Sequence, residues 1–244
     1  MIDDMSAYGL NSTVGTSERL NLGGLDEVAS LSKAFHRAAS GSRYSITDLD
    51  GNEVRLRVHR DWQREPPVLM GRCVDLNAAY KQLAVAAPVR ALAIILVWDC
   101  TTLSNKYYIS NALPFGATAA VYGFNRCSRT IERILAVVLH LLITSFFDDF
   151  PVVEARELTD STSATISMIL TLLGWSHAEV GPKSSPFADS FKVLGAKVDF
   201  SRMNSHYQLI MANTDERMAE IARVVLEFLK VGHISPGEAR TLAG

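Results

Sequence analysis

The sequence predicts an α+β fold, a small antiparallel sheet backed by helices. Three observations carry that expectation. Apolar runs of strand length occur at 69–74 and 141–147, and Val152-Val153 follows the second run closely enough to return as its hairpin partner. Longer stretches at 118–139, 158–173 and 214–230 have the length and spacing of helices. Hydrophobic residues make up 48% and charged residues 20% of 244, an ordinary globular composition that excludes disordered and fibrous classes. A net charge of −2 argues against a nucleic-acid-coating role while leaving room for a local basic groove.

Taken in order, residues 1–24 are rich in Gly, Ser, Thr and Asn and read as loop. Leu25 to Phe35 has apolar residues at helical spacing with acids in its first turn, and Ser40-Gly41 ends that helix. Asp48-Leu49-Asp50-Gly51-Asn52 is a turn between two short strands, the second being Val54 to Val58 with Arg55 and Arg57 on a solvated face. Leu69 to Val74 is a buried strand that delivers Asp75 at its end. Ala91 to Trp98 reads as another buried strand, and Tyr107-Tyr108-Ile109 as a third. Ile134 to Phe147 is shorter than the ~20 residues of a membrane span and reads as the end of a buried helix running into a buried strand. Gly174-Trp175 breaks the 158–173 helix, and Phe191 to Phe200 with Tyr207 to Met211 form a strand pair. Ser235-Pro236-Gly237-Glu238 has the capping pattern of a last helix.

Cys73, Cys100 and Cys127 stand singly, match no zinc spacing and read as reduced structural thiols inside a cell. The six histidines fit no metal spacing either. The opening Met1-Ile2-Asp3-Asp4 is acidic, with no secretory leader visible, so an intracellular place in cytoplasm or nucleus is expected.

Chemistry concentrates at Phe146-Phe147-Asp148-Asp149-Phe150. Side chains alternate along a regular strand, so two adjacent carboxylates share one spot only at a tight turn. There they repel unless a cation is present. The pair alone equally suits a solvated turn, where Asp is common. Asp75 changes the balance, because neighbouring strands would bring three carboxylates together. Such a cluster is what two Mg²⁺ ions about 4 Å apart require for phosphoryl or nucleotidyl transfer.

Five segments, in order, then resemble the palm of reverse transcriptases of retrotransposons, tyrosine-recombinase-type elements among them. Val74 to Gln82 resembles the first palm motif and Leu113-Pro114-Phe115-Gly116 the second. Phe146-Phe147-Asp148-Asp149 resembles the aromatic-x-Asp-Asp motif. Gly174-Trp175 through Gly181-Pro182-Lys183-Ser184 resembles the fourth motif, and Val193-Leu194-Gly195-Ala196 the primer-grip hairpin.

The resemblance implies a right-hand polymerase palm with partial fingers. Residues 1–68 would be fingers-like and 69–200 palm, with the palm end and the start of thumb-like helices at 201–244. It implies an RNA-directed DNA polymerase using Mg²⁺ (or Mn²⁺), an RNA or DNA template with primer, and dNTPs, with no membrane partner. Other parts of a longer polyprotein are implied too. Asp75, Asp148 and Asp149 would hold metal, joined by the Leu76 carbonyl. Tyr80 would sit under the incoming sugar, or be a core tyrosine. Phe115 and Gly116 would meet nucleotide and template, or simply open a helix. Lys183 would protonate the leaving pyrophosphate, or be a surface lysine. Leu194 and Gly195 would position the primer end.

Ile2 to Asn11 resembles the end of a fingers motif whose triphosphate-gripping Arg lies upstream in the family, and no residue of this sequence can be nominated for it. That departure supports an alternative expectation: a catalytically incompetent fragment of a decayed retroelement, keeping the palm fold and weak nucleic-acid binding. A remoter alternative is another two-metal phosphotransferase sharing only the paired aspartates.

Overall fold

A computed structural model describes residues 9–15, 18–20, 22–39, 41, 43–47, 51–179, 184–232, 235 and 237. Parts of several expected features lie outside these residues: Ile2 to Tyr8, Ser40, Asp48-Leu49-Asp50, Gly181-Pro182-Lys183, and Pro236 with Glu238.

The protein mixes helices with small antiparallel sheets. Helix α1 (Leu25–Ala39) places Asp26 and Glu27 in its first turn and His36 and Arg37 in its last, each matching the sign of the helix dipole. Strands β1 (Arg43–Thr47) and β2 (Glu53–Arg57) form their own two-stranded sheet, followed by the short helix α2 (Arg60–Arg64).

The central sheet has three strands in the order β3-β7-β6: β3 (Leu69–Asp75), β7 (Asp149–Ala155) and β6 (Leu142–Ile143). Its two faces are both buried, which explains why β3 and β7 are nearly continuously apolar. Val74, Phe150, Val152 and Ile143 pack on helix α3 (Thr118–Arg133), through Phe124 and Ile131, and on α4 (Thr159–Leu172), through Ile166 and Leu170. Leu69 and Val153 pack on the other side against Val28 of α1 and against a second sheet. That sheet has the order β10-β9-β8, from β8 (Ser190–Val193), β9 (Ala196–Asp199) and β10 (Ile210–Asn213).

The second sheet approaches β3 closely. Gly71 exchanges hydrogen bonds with Ala188, N to O at 2.8 Å and the reverse at 3.0 Å. A Cβ at Gly71 would lie 2.2 Å from the Phe191 ring, so only glycine fits there. The short helix α5 (Met203–His206) follows β9. Helix α6 (Asp215–Val231) begins at Thr214, whose hydroxyl accepts from Arg217 N at 3.3 Å, and ends at Gly232 with φ 77°.

Two expectations are corrected. Ala91 to Trp98 is not a buried strand. Strands β4 (Ile94–Asp99) and β5 (Ser104–Ile109) pair only with each other, leaving Leu96 and Trp98 each 55% exposed and Tyr107 72% exposed. The residues 134–147 are only partly buried: a π-helical turn (Ile134–Val138) extends α3, with Leu135 inside and Val137 and Val138 exposed. Among the described residues, no helix is long and apolar enough to cross a membrane.

Candidate active site

Strand register brings the predicted carboxylates together. In the β3–β7 pair Asp75 stands opposite Asp149, and Cys73 opposite Pro151. Directly opposed residues share a sheet face with Cβ atoms about 4.5–5.5 Å apart, so Asp75, Asp149 and Cys73 lie on one face. Asp148 precedes them in the turn, and its carbonyl accepts from Leu76 N at 3.3 Å.

That turn is a two-residue hairpin loop, Phe147-Asp148, closed by Phe146 N to Asp149 O at 2.9 Å and Asp149 N to Phe146 O at 3.0 Å. Phe147 adopts φ 50°, a left-handed value that two-residue hairpins need and that glycine normally supplies. A bulky residue there costs roughly 1–3 kcal/mol and persists only when its surroundings enforce it. Ser128 of α3, fully buried, provides the enforcement by donating its hydroxyl to the Phe147 carbonyl.

The strand entering the turn is braced in the same manner. Ser145 donates to Glu132, which also pairs with Arg129 at 2.7 Å. Thr144 donates to Glu27, and Gly23 N donates to Ser145 O at 2.9 Å. Burial raises the Glu132 carboxyl above its ordinary range, against the opposing pull of the Ser145 hydroxyl and Arg129.

Electrostatics locates each carboxylate. Burial pushes the Cys73 thiol well up, reinforced by the charge of Asp149, a hydrogen bond to it, and the charge of Asp75. Burial also raises the Tyr80 hydroxyl, with the Asp148 charge as second cause. Asp75 and Asp149 therefore lie beside Cys73, and Asp148 lies toward Tyr80.

Tyr80 is 7% exposed, stacked on Phe124 at 4.5 Å and edge-on to Phe115 at 5.2 Å. Phe115, half exposed, links this cluster to the Leu113–Gly116 turn. Gly116 has φ 90° and needs to be glycine. Asn11 secures it from 105 residues away, donating to Gly116 O at 3.0 Å while its side-chain oxygen accepts from Thr118 N at 2.9 Å. On the other flank, Ala178 N donates to Asp75 O at 3.0 Å and Asn77 N to Ser176 O at 3.0 Å, with Asn77 Nδ2 donating to His177 O at 2.7 Å. The Gly174–Ala178 stretch thus docks beside Asp75, bridging Leu76 to His177.

The structure gathers Asp75, Leu76, Tyr80, Phe115, Gly116, Asp148 and Asp149 at one end of the central sheet. Leu194 and Gly195 form the β8–β9 turn with φ 51° and 73°, and Leu194 packs with the core cluster containing Val28 and Phe191. They belong to the neighbouring sheet. Lys183 lies outside the described residues.

The donors at the carboxylate end are hard oxygens, the type Mg²⁺ and Mn²⁺ take. Among the described residues no group of three or more His, Cys, Asp and Glu side chains is drawn tightly enough to hold a metal ion. The residues fit a hard divalent cation in type and register.

Ser128 and Glu132 escaped the sequence reading, as did the bracing roles of Asn11 and Asn77. A signal existed for the first two. Asn125, Ser128 and Glu132 recur at helical spacing among the core positions Phe124, Ile131 and Leu135, and polar residues interrupting an apolar stripe mark a buried polar task. Compared with known proteins, the chain matches no family model and no curated sequence.

Proposed function

We propose that the chain is the palm-type part of an RNA-directed DNA polymerase, performing template-directed nucleotidyl transfer to a primer 3′-hydroxyl. One observation carries the reading: Asp75 opposes Asp149 in register while Asp148 occupies a clamped, left-handed turn at the same sheet end. Backbone strain held in place by a dedicated hydrogen bond is characteristic of functional sites. A merely solvated aspartate turn has no need of it.

In this reading Asp75, Asp148 and Asp149 hold Mg²⁺ or Mn²⁺, with the Leu76 carbonyl as a further oxygen. The bound cations would neutralise the triphosphate and favour the ionised primer hydroxyl. Tyr80, immobilised between Phe124 and Phe115, forms a rigid wall beside Asp148 against which a nucleotide sugar rests. Phe115 offers an exposed ring face for stacking a base. Gly116 lets a template strand approach the backbone closely. Leu194-Gly195 would steady the primer, and Lys183 would give a proton to the departing pyrophosphate. Residues 69–200 correspond to the palm, with fingers-like and thumb-like parts to either side and other parts of a longer polyprotein as partners.

Primer extension on poly(rA)/oligo(dT) with Mg²⁺ or Mn²⁺ tests the proposal. Extension by the wild-type chain, lost by about 100-fold or more in Asp148→Asn (about 2.7 kcal/mol of barrier), is the expected result. No extension, or equal extension by the variant, would overturn it.

A further inference from the structure

A cavity of about 500 Å³ opens between β3, α4 and residues 177–179 and 184–187. Arg72 lines it from the middle of β3 and, alternating with Cys73 and Asp75, projects from the opposite sheet face. The cavity is therefore separate from the carboxylate site.

Arg72 is held but not neutralised. Its Nη1 donates to Ser163 Oγ at 3.2 Å, and its guanidinium carbon lies 5.7 Å from the centre of the Phe187 ring. Its Nε is fully buried with no acceptor. Among the described residues it forms no ion pair. Glu154, the buried carboxylate on the adjoining strand, is committed elsewhere: it accepts from Thr162 Oγ1 at 2.8 Å and from Ala155 N at 2.8 Å. Burial lowers the guanidinium pKa, as expected of a charge lacking a counter-ion.

Arg72 is half-buried with no carboxylate partner among the described residues, and a planar guanidinium fork matches the oxygens of phosphate. One further feature suits an anion: Ser163 and Ser185 line the cavity and carry hydroxyls. Asp160 and Glu179, exposed at the same cavity, set a limit on the ligand. Their charges act across about 8 Å at physiological ionic strength, so they oppose a long polyanion lying across the mouth more than one small group held at Arg72.

We propose that this cavity binds a single compact phosphate group, inorganic phosphate or a phosphate monoester, with Arg72 as the residue that holds it. The inference stands apart from the polymerase reading, because no carboxylate of that site takes part.

Calorimetric titration of the whole chain with inorganic phosphate, at ionic strength matched with chloride, tests it. Phosphate is expected to bind saturably. Arg72→Gln should weaken binding at least tenfold, Arg72→Lys (charge kept, fork lost) by several-fold, and Ser163→Ala by about threefold, while Asp148→Asn leaves it unchanged. A parallel titration with a single-stranded oligodeoxynucleotide should show no binding that depends on Arg72. If Arg72→Gln fails to fold, the graded pair Arg72→Lys and Ser163→Ala decides the matter. Absence of saturable binding overturns the proposal, as does equal affinity in the wild type and the variants, or Arg72-dependent binding of the oligonucleotide tighter than that of phosphate.

Discussion

Replacing Ser128 by alanine isolates the clamp on the aspartate turn. The Ser128 hydroxyl is the donor to the Phe147 carbonyl, and Ser128 is completely buried, so water cannot readily replace it. Leaving a buried carbonyl without its donor costs about 1–3 kcal/mol. The same bond restrains Phe147 at φ 50°, whose intrinsic cost is of similar size. Ser128→Ala should therefore destabilise the protein by about 1–3 kcal/mol in urea unfolding, or about 2–4 °C in Tm for each kcal/mol. Phe147→Gly supplies the internal control, because glycine accepts the left-handed conformation freely. In the Phe147→Gly background Ser128→Ala should cost less by about 0.5 kcal/mol or more, a coupling readable from a double-mutant cycle. The reasoning is refuted if Ser128→Ala leaves stability within about 0.5 kcal/mol of wild type, or if its cost is equal in both backgrounds.

Gly71→Ala should cost about 1–3 kcal/mol in urea unfolding, because its methyl would meet the Phe191 ring at 2.2 Å. Trp98→Thr, on the exposed β4–β5 ribbon, should change stability by no more than about 0.5 kcal/mol, which a buried strand could not tolerate. Glu132→Gln should stabilise the protein relative to wild type as pH rises. The folded carboxyl is raised by burial, so the unfolded chain releases its proton first, and wild-type stability falls between the ordinary carboxylate pKa and the folded value. Denaturation midpoints from about pH 4 to about pH 8 should show the gap between the two proteins opening within that interval and then levelling. A constant gap would contradict the assigned shift.

Much of the site was legible because it rests on local chemistry. The run ending in Asp75, the apolar flanks of Asp148-Asp149 and the return at Val152-Val153 specify two strands and a turn, and pairing them leaves one register that buries both faces. Tyr80 and Phe115 were legible as individuals, but the stacking of Tyr80 on Phe124 depends on where α3 lies. The β4–β5 ribbon misled because Ile94 to Trp98 is apolar at every position. Such a run has no period to show which face is covered, and whether a partner exists is a tertiary fact. The Asn11 clamp on Gly116 spans 105 residues and the Asn77 latch spans 100, distances over which no local pattern exists. Arg72 read only as a polar residue within a strand, since an arginine lacking a counter-ion is recognisable only once its neighbours are placed.

The central claim is that Asp75, Asp148 and Asp149 form one cation site. Titration with Mn²⁺, followed by loss of the free-ion paramagnetic resonance signal, measures it directly without requiring turnover. Saturable binding is expected in the wild type, weakened at least tenfold by Asp75→Asn and by Asp148→Asn alike (about 1.4 kcal/mol each) and unaffected by Arg72→Gln. Binding unchanged by both aspartate substitutions would contradict the account.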